Sequence, residues 1–69
     1  MLMSGAGRVA RLHYLPGTFR VLSNGDHVLC AITGTAIPLP ELRYWSVERQ
    51  EAYIDAESSA EAERRAGAL

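Results

Sequence analysis

The chain is short of several things at once. It has 69 residues and a single cysteine, Cys30, so no intramolecular disulfide can form. Secreted domains of this size usually carry disulfide staples, so the expected compartment is the reducing cytoplasm. No apolar run approaches the roughly 20 residues of a membrane span. Gly5, Gly7, Arg8 and Arg11 interrupt the N-terminal segment well below signal-peptide length. Lysine is missing altogether, while there are seven arginines and ten alanines, the composition of a GC-rich bacterial genome. The net charge is only −1 and charged residues make up 22% of the chain. That excludes wholesale disorder, which goes with high net charge and low hydrophobicity. A chain this short buries only about 60% of its unfolded surface, which leaves one thin core and little room for a deep catalytic pocket.

What charge there is falls unevenly. Residues 1–35 carry three arginines and one acid, whereas residues 36–69 carry four arginines and seven acids. Arg8, Arg11 and Arg20 are therefore the candidates for contact with a nucleic-acid backbone, provided that the fold gathers them on one face.

The local pattern reads as strands followed by a helix. Residues 1–7 are small and glycine-containing, the expected flexible leader. Val9–Leu15 is rich in strand formers, and Pro16-Gly17 reverses the chain, proline presetting φ and glycine accepting the positive φ that follows. Phe19–Leu22 reads as a second strand. Asn24-Gly25 is a strong hairpin signal leading to a third, His27–Ile32, which is apolar on both faces and so central. Thr33-Gly34-Thr35 turns the chain into a short edge strand at Ala36–Leu39, where Pro38 has no N–H to offer. Pro40 opens a turn or single helical turn through Arg43. Ser46 has the character of an N-cap, and the absence of Gly or Pro up to Gly67 predicts a helix over about 46–66. The expected fold is α+β: an antiparallel β-meander of three to four strands with one C-terminal helix, a single domain over 8–66 with a tail at 67–69. The expected core is Leu12, Tyr14, Phe19, Val21, Val28, Cys30, Ile32, Ile37, Leu42, Trp45, Val47 and Ile54.

Residues with chemical potential mostly have a structural reading. His27 and Cys30 have a metal-like spacing, but three residues apart on a strand they point to opposite faces, and His13 would supply only a third ligand where a structural zinc needs four. A nucleophilic cysteine needs a positioned base that nothing here fixes. The glutamates from Glu48 to Glu63 suit a solvated helix face, and Gly34 lies between strands instead of opening a helix as phosphate loops do. No catalytic residue, metal ligand or cofactor site is therefore expected. Arg43-Tyr44-Trp45 combines the residue types enriched at binding hot spots and is the candidate protein-docking corner, although a lone tryptophan in a small domain also belongs in its core.

Two resemblances bear on function. Cys30-Ala31-Ile32-Thr33-Gly34, followed by Ile37-Pro38, resembles half of a zinc knuckle of small bacterial transcription factors that bind RNA polymerase. Thr33 stands where the second cysteine would be, so the resemblance implies a metal-free hairpin. The longer run from Tyr14 to Tyr53, with Cys30-Ala31, Thr33-Gly34, Tyr44-Trp45-Ser46-Val47 and Gln50-Glu51-Ala52-Tyr53, resembles a family of short uncharacterised proteins, a domain of unknown function found mainly in alphaproteobacteria. That resemblance implies no activity. The functional expectation is a small cytoplasmic, non-enzymatic accessory module that binds an unknown protein partner through Arg43, Tyr44 and Trp45. The alternative is nucleic-acid or transcription-machinery binding through Arg8, Arg11 and Arg20 and the zinc-free knuckle.

Overall fold

The computed structural model describes residues 7–67; of the expected leader and tail, residues 1–6 and 68–69 lie outside the described residues. Six short strands precede one helix: β1 Arg11–Leu15, β2 Thr18–Ser23, β3 His27–Leu29, β4 Ala36–Pro38, β5 Tyr44–Ser46, β6 Glu51–Tyr53 and α1 Ala56–Arg65. The α+β class with a C-terminal helix is as expected. The sheet is more divided than a meander of three or four strands: the strands pair antiparallel as β1–β2, β3–β4 and β5–β6. Isolated parallel bridges at Val9↔His27 and Cys30↔Ala52 connect these ladders, and both engage the strand segment that begins at β3. That segment thus links the ladders, but only its Val28 and Cys30 face is buried; Leu29 and Ala31, on the face also expected inside, are exposed.

The β1–β2 hairpin forms as read, and Gly17 takes φ +76° after Pro16. Its register pairs Leu12 with Val21, His13 with Arg20, and Tyr14 with Phe19, with Leu22 as an extra residue between Val21 and Ser23. Asn24-Gly25, by contrast, makes no hairpin, because β2 does not pair with β3. Gly25 has no positive φ; a Cβ there would lie 2.6 Å from the Arg8 carbonyl oxygen and closer still to the Ala10 nitrogen. This glycine serves close backbone approach, letting Ala10 N–H donate to the His27 carbonyl at 2.7 Å and Asp26 N–H to the Arg8 carbonyl at 3.0 Å.

The helix expected from Ser46 starts ten residues later. Ser46 does accept a hydrogen bond from Arg49 N–H at 3.0 Å, as an N-cap would. The turn then stops at Gln50, whose φ of 54° is left-handed, and Glu51–Tyr53 returns as a strand beside β5. Burial decides between the two conformations: as a strand the segment seats both Ala52, 2% exposed, and Tyr53, 1% exposed, in the core. The true cap is Asp55, whose Oδ1 accepts from Ser58 N–H at 2.8 Å. The helix ends as expected, at Gly67 with φ +75°. Pro40 lies in a 3₁₀ turn over Leu39–Glu41.

The core is Ala10, Tyr14, Val28, Cys30, Ile37, Leu42, Ala52, Tyr53 and Ala62, with Leu12, Phe19, Ile32, Leu39, Trp45 and Ile54 packed against it. Val21 and Val47, expected inside, are exposed. The three alanines have no apolar bulk to announce them; Ala10 and Ala52 are buried where their backbones bond to His27 and Ala31, and Ala62 lies on the inner side of α1. No helix among the described residues is long and apolar enough to cross a membrane.

Candidate functional site

The arrangement around Trp45 governs what the candidate corner can do. Its ring stacks on Tyr14 at a centroid distance of 6.0 Å and meets Phe19 edge-on at 5.7 Å. Its Nε1–H donates to the Leu15 carbonyl at 2.9 Å. Trp45 is therefore held by the β1–β2 hairpin and acts as an internal post. The exposed part of the corner is Arg43 and Tyr44 at the start of β5, with Val47 just past its end; Tyr44 is 39% exposed and Val47 40%.

Gln50 completes the attachment. Its Nε2–H₂ donates to the Tyr14 carbonyl at 2.9 Å and to the Val47 carbonyl at 2.8 Å, and its Oε1 accepts from Tyr14 N–H at 2.9 Å. The side chain pairs with β1 as a neighbouring strand would. Gln50→Ala is expected to destabilise the fold by about 2–3 kcal/mol, because three backbone groups lose their partner. Urea denaturation followed by circular dichroism checks this. Gln50→Gly relieves the left-handed backbone but loses the same bonds, so it should recover only about 1 kcal/mol.

A second network ties β6 to the helix. The buried Tyr53 hydroxyl donates to Glu51 Oε1 at 2.8 Å and accepts from Arg49 Nε and Nη2 at 3.2 and 3.1 Å. Arg49 Nη2 also reaches Glu63 Oε2 on α1 at 3.0 Å. Hydrogen bonding to Glu63 and then to Tyr53 raises the Arg49 pKa, fixing its charge.

Cys30 is 3% exposed. Its loop closes through Gly34 N–H donating to the Cys30 carbonyl and Cys30 N–H donating to the Thr35 carbonyl, each at 2.9 Å. Thr33 N–H points at Sγ from 3.5 Å. Burial raises the thiol pKa. The polar groups of Thr33 and the backbone of Ile54 and Ile32 around the sulfur outweigh it and bring the thiol to about 7. His27 is engaged elsewhere: its Nδ1–H donates to Asp26 Oδ1 at 2.6 Å, while Asp26 Oδ2 accepts from Gly7 N–H at 2.8 Å. Among the described residues no three His, Cys, Asp or Glu side chains gather as a metal site. An open cleft of about 260 Å³ lies between this loop and the start of α1, lined by Ile32, Thr33, Asp55, Ser58 and Glu61 among others. Of its acids, Asp55 is the cap and Glu61 is ion-paired with Arg64 and Arg65, while Glu57 enters no ion pair among the described residues.

The arginines divide cleanly. Arg49, Arg64 and Arg65 are ion-paired; among the described residues Arg8, Arg11, Arg20 and Arg43 enter no ion pair. Strand alternation and the His13↔Arg20 register place Arg11, His13 and Arg20 on one face of the hairpin, opposite the Leu12, Tyr14 and Phe19 face that meets Trp45. Arg8 precedes the Val9 bridge and lies at the hairpin base, so the fold gathers two of the three expected arginines. Sequence reasoning missed Gln50 and Tyr53, whose roles depend on partners in other elements. Arg49 was missed too, although its position after Ser46 marks it as part of the turn.

The sequence profile of a family described as an uncharacterized protein conserved in bacteria (DUF2093) matches residues 21–62, which is 42 of the 69 residues. The match includes the Cys30 loop, the Tyr44–Val47 segment and most of α1. No curated protein and no solved structure matches the chain.

Proposed function

We propose that this chain, which belongs to the bacterial family DUF2093, is a non-enzymatic accessory module that binds another protein through the corner formed by Arg43 and Tyr44. The supporting observation is the division of labour at that corner. Trp45 is fixed behind it between Tyr14 and Phe19, while Arg43, Tyr44 and Val47 stand in solvent, the guanidinium without an ion-pair partner among the described residues. Tyrosine and arginine on a rigid support lose little entropy on docking, the condition under which small surfaces bind well. The test is affinity purification of the tagged protein from its host, with and without nuclease, beside an Arg43→Glu/Tyr44→Ala variant. A stoichiometric protein that survives nuclease and is lost from the variant is the expected result. A partner retained by the variant, or none, overturns the reading.

A second reading, contact with nucleic acid or the transcription machinery, is favoured by the Cys30–Thr35 loop. Besides its backbone closure, Thr33 Oγ1 donates to Thr35 Oγ1 at 2.8 Å and accepts from Thr35 N–H at 3.2 Å. These bonds hold the knuckle-like turn without metal and leave it on the surface.

A further inference from the structure

We infer that the outward face of the β1–β2 hairpin is a binding surface for the phosphate backbone of nucleic acid. This rests on the second reading above and narrows it, from three arginines and the knuckle together, to the face that carries Arg11 and Arg20. Arg11 and Arg20 are exposed and share the face with His13 and, by alternation along β2, with the Thr18 hydroxyl. Arg20 lies across from His13, which is two residues along β1 from Arg11, so the two arginines are offset by about 7 Å along the strand direction and spread along a track instead of converging on a point.

The electrostatics of the hairpin favour this ligand. The first 25 residues contain no aspartate or glutamate. The nearest acid in the chain, Asp26, has both oxygens engaged by Gly7 and His27. Its carboxyl is held below the usual range, first by the His27 hydrogen bond and then by the Gly7 N–H. Arg11 and Arg20 thus have no counter-ion among the described residues, a condition they share with Arg8 and Arg43, whereas Arg49, Arg64 and Arg65 each have one. Guanidinium forks suit phosphate oxygens bidentately, which lysine would not do.

The placement of the aromatics narrows the ligand further. Tyr14 and Phe19 are turned inward onto Trp45. The face therefore has no tyrosine, tryptophan or phenylalanine of the kind that anchors protein interfaces and stacks bases in single-strand binders. Beside Leu15, the partner of Thr18, it offers charge, a hydroxyl and an imidazole, the groups that contact phosphate and sugar and carry register without sequence.

Fluorescence anisotropy with a short DNA duplex and a single-stranded RNA of matched length, across a salt series, tests the inference. Neutralising about two phosphates should give a log K against log salt slope near −2 on the duplex and an affinity in the non-specific range. Arg11→Glu/Arg20→Glu should weaken binding by about tenfold or more, with Arg11→Gln/Arg20→Gln intermediate and decisive if the reversed pair fails to fold. Binding that is insensitive to both pairs, or equally tight binding to polyglutamate or anionic vesicles, overturns the inference. A Thr33→Ala/Thr35→Ala variant separates the two levels. If it alone loses binding, the knuckle reading stands and the hairpin face is excluded. If the wild type binds neither nucleic acid, both fail.

Discussion

Trp45→Ala is expected to leave the chain largely unfolded at room temperature. Large-to-small substitution of a core aromatic costs about 3–5 kcal/mol, and a domain of this length has only about 3–10 kcal/mol to lose. The cost here should lie toward the upper end, because the ring does three things at once. It fills the space between Tyr14 and Phe19, it turns the inner face of the hairpin away from water, and its Nε1–H satisfies the Leu15 carbonyl. Trp45→Phe separates these contributions: it keeps most of the packing and loses the hydrogen bond, for an expected cost of about 1–2 kcal/mol. Circular dichroism in urea is the suitable measurement, since the substitution removes the chain's one tryptophan. A loss below about 1 kcal/mol for the alanine variant would mean that the hairpin does not depend on this post.

The second large effect is expected at Gly25. An alanine Cβ there would fall against the backbone of Arg8 and Ala10, where no side-chain rotation can relieve it. The segment must separate from Asp26 and His27, and the bonds from Ala10 N–H to the His27 carbonyl and from Asp26 N–H to the Arg8 carbonyl go with it. We expect a loss of about 3 kcal/mol, at the high end for overpacking. Gly17→Ala and Gly34→Ala are the matched controls. Both residues have φ +76° but open space around the missing Cβ. They should cost only about 1 kcal/mol each, the conformational penalty alone. Thermal melts of the three variants check the ranking, and a Gly25 variant no worse than the other two would contradict the close approach.

The same glycine shows where the sequence could be read and where it could not. Pro16-Gly17 and Gly67 act through their own backbone angles, so the first hairpin and the helix end are legible locally. Gly25 acts through the backbone of Arg8 and Ala10, and the Asn24-Gly25 pair misleads for that reason. Ser46 gives a sound capping signal that a single turn satisfies. What cancels the helix is the burial of Ala52 and Tyr53 in strand register, a tertiary effect that overrides propensity. On the candidate site, Arg11 and Arg20 follow from period-two alternation once the hairpin is placed. The internal role of Trp45 and the clamp by Gln50 span 30 and 36 residues of sequence and have no local trace.

That clamp has a kinetic consequence. Tyr14 N–H is protected from solvent by an amide side chain, not by the β1–β2 ladder. Rotation of Gln50 alone can expose it, so its deuterium uptake is set by the lifetime of one side-chain contact while the hairpin stays paired. Amides bonded within the ladders exchange only when strands part, through larger and rarer openings. A single backbone proton therefore times the opening of the Gln50 clamp, apart from the Trp45 contact and from the openings of the ladders, and gives that one contact its own clock.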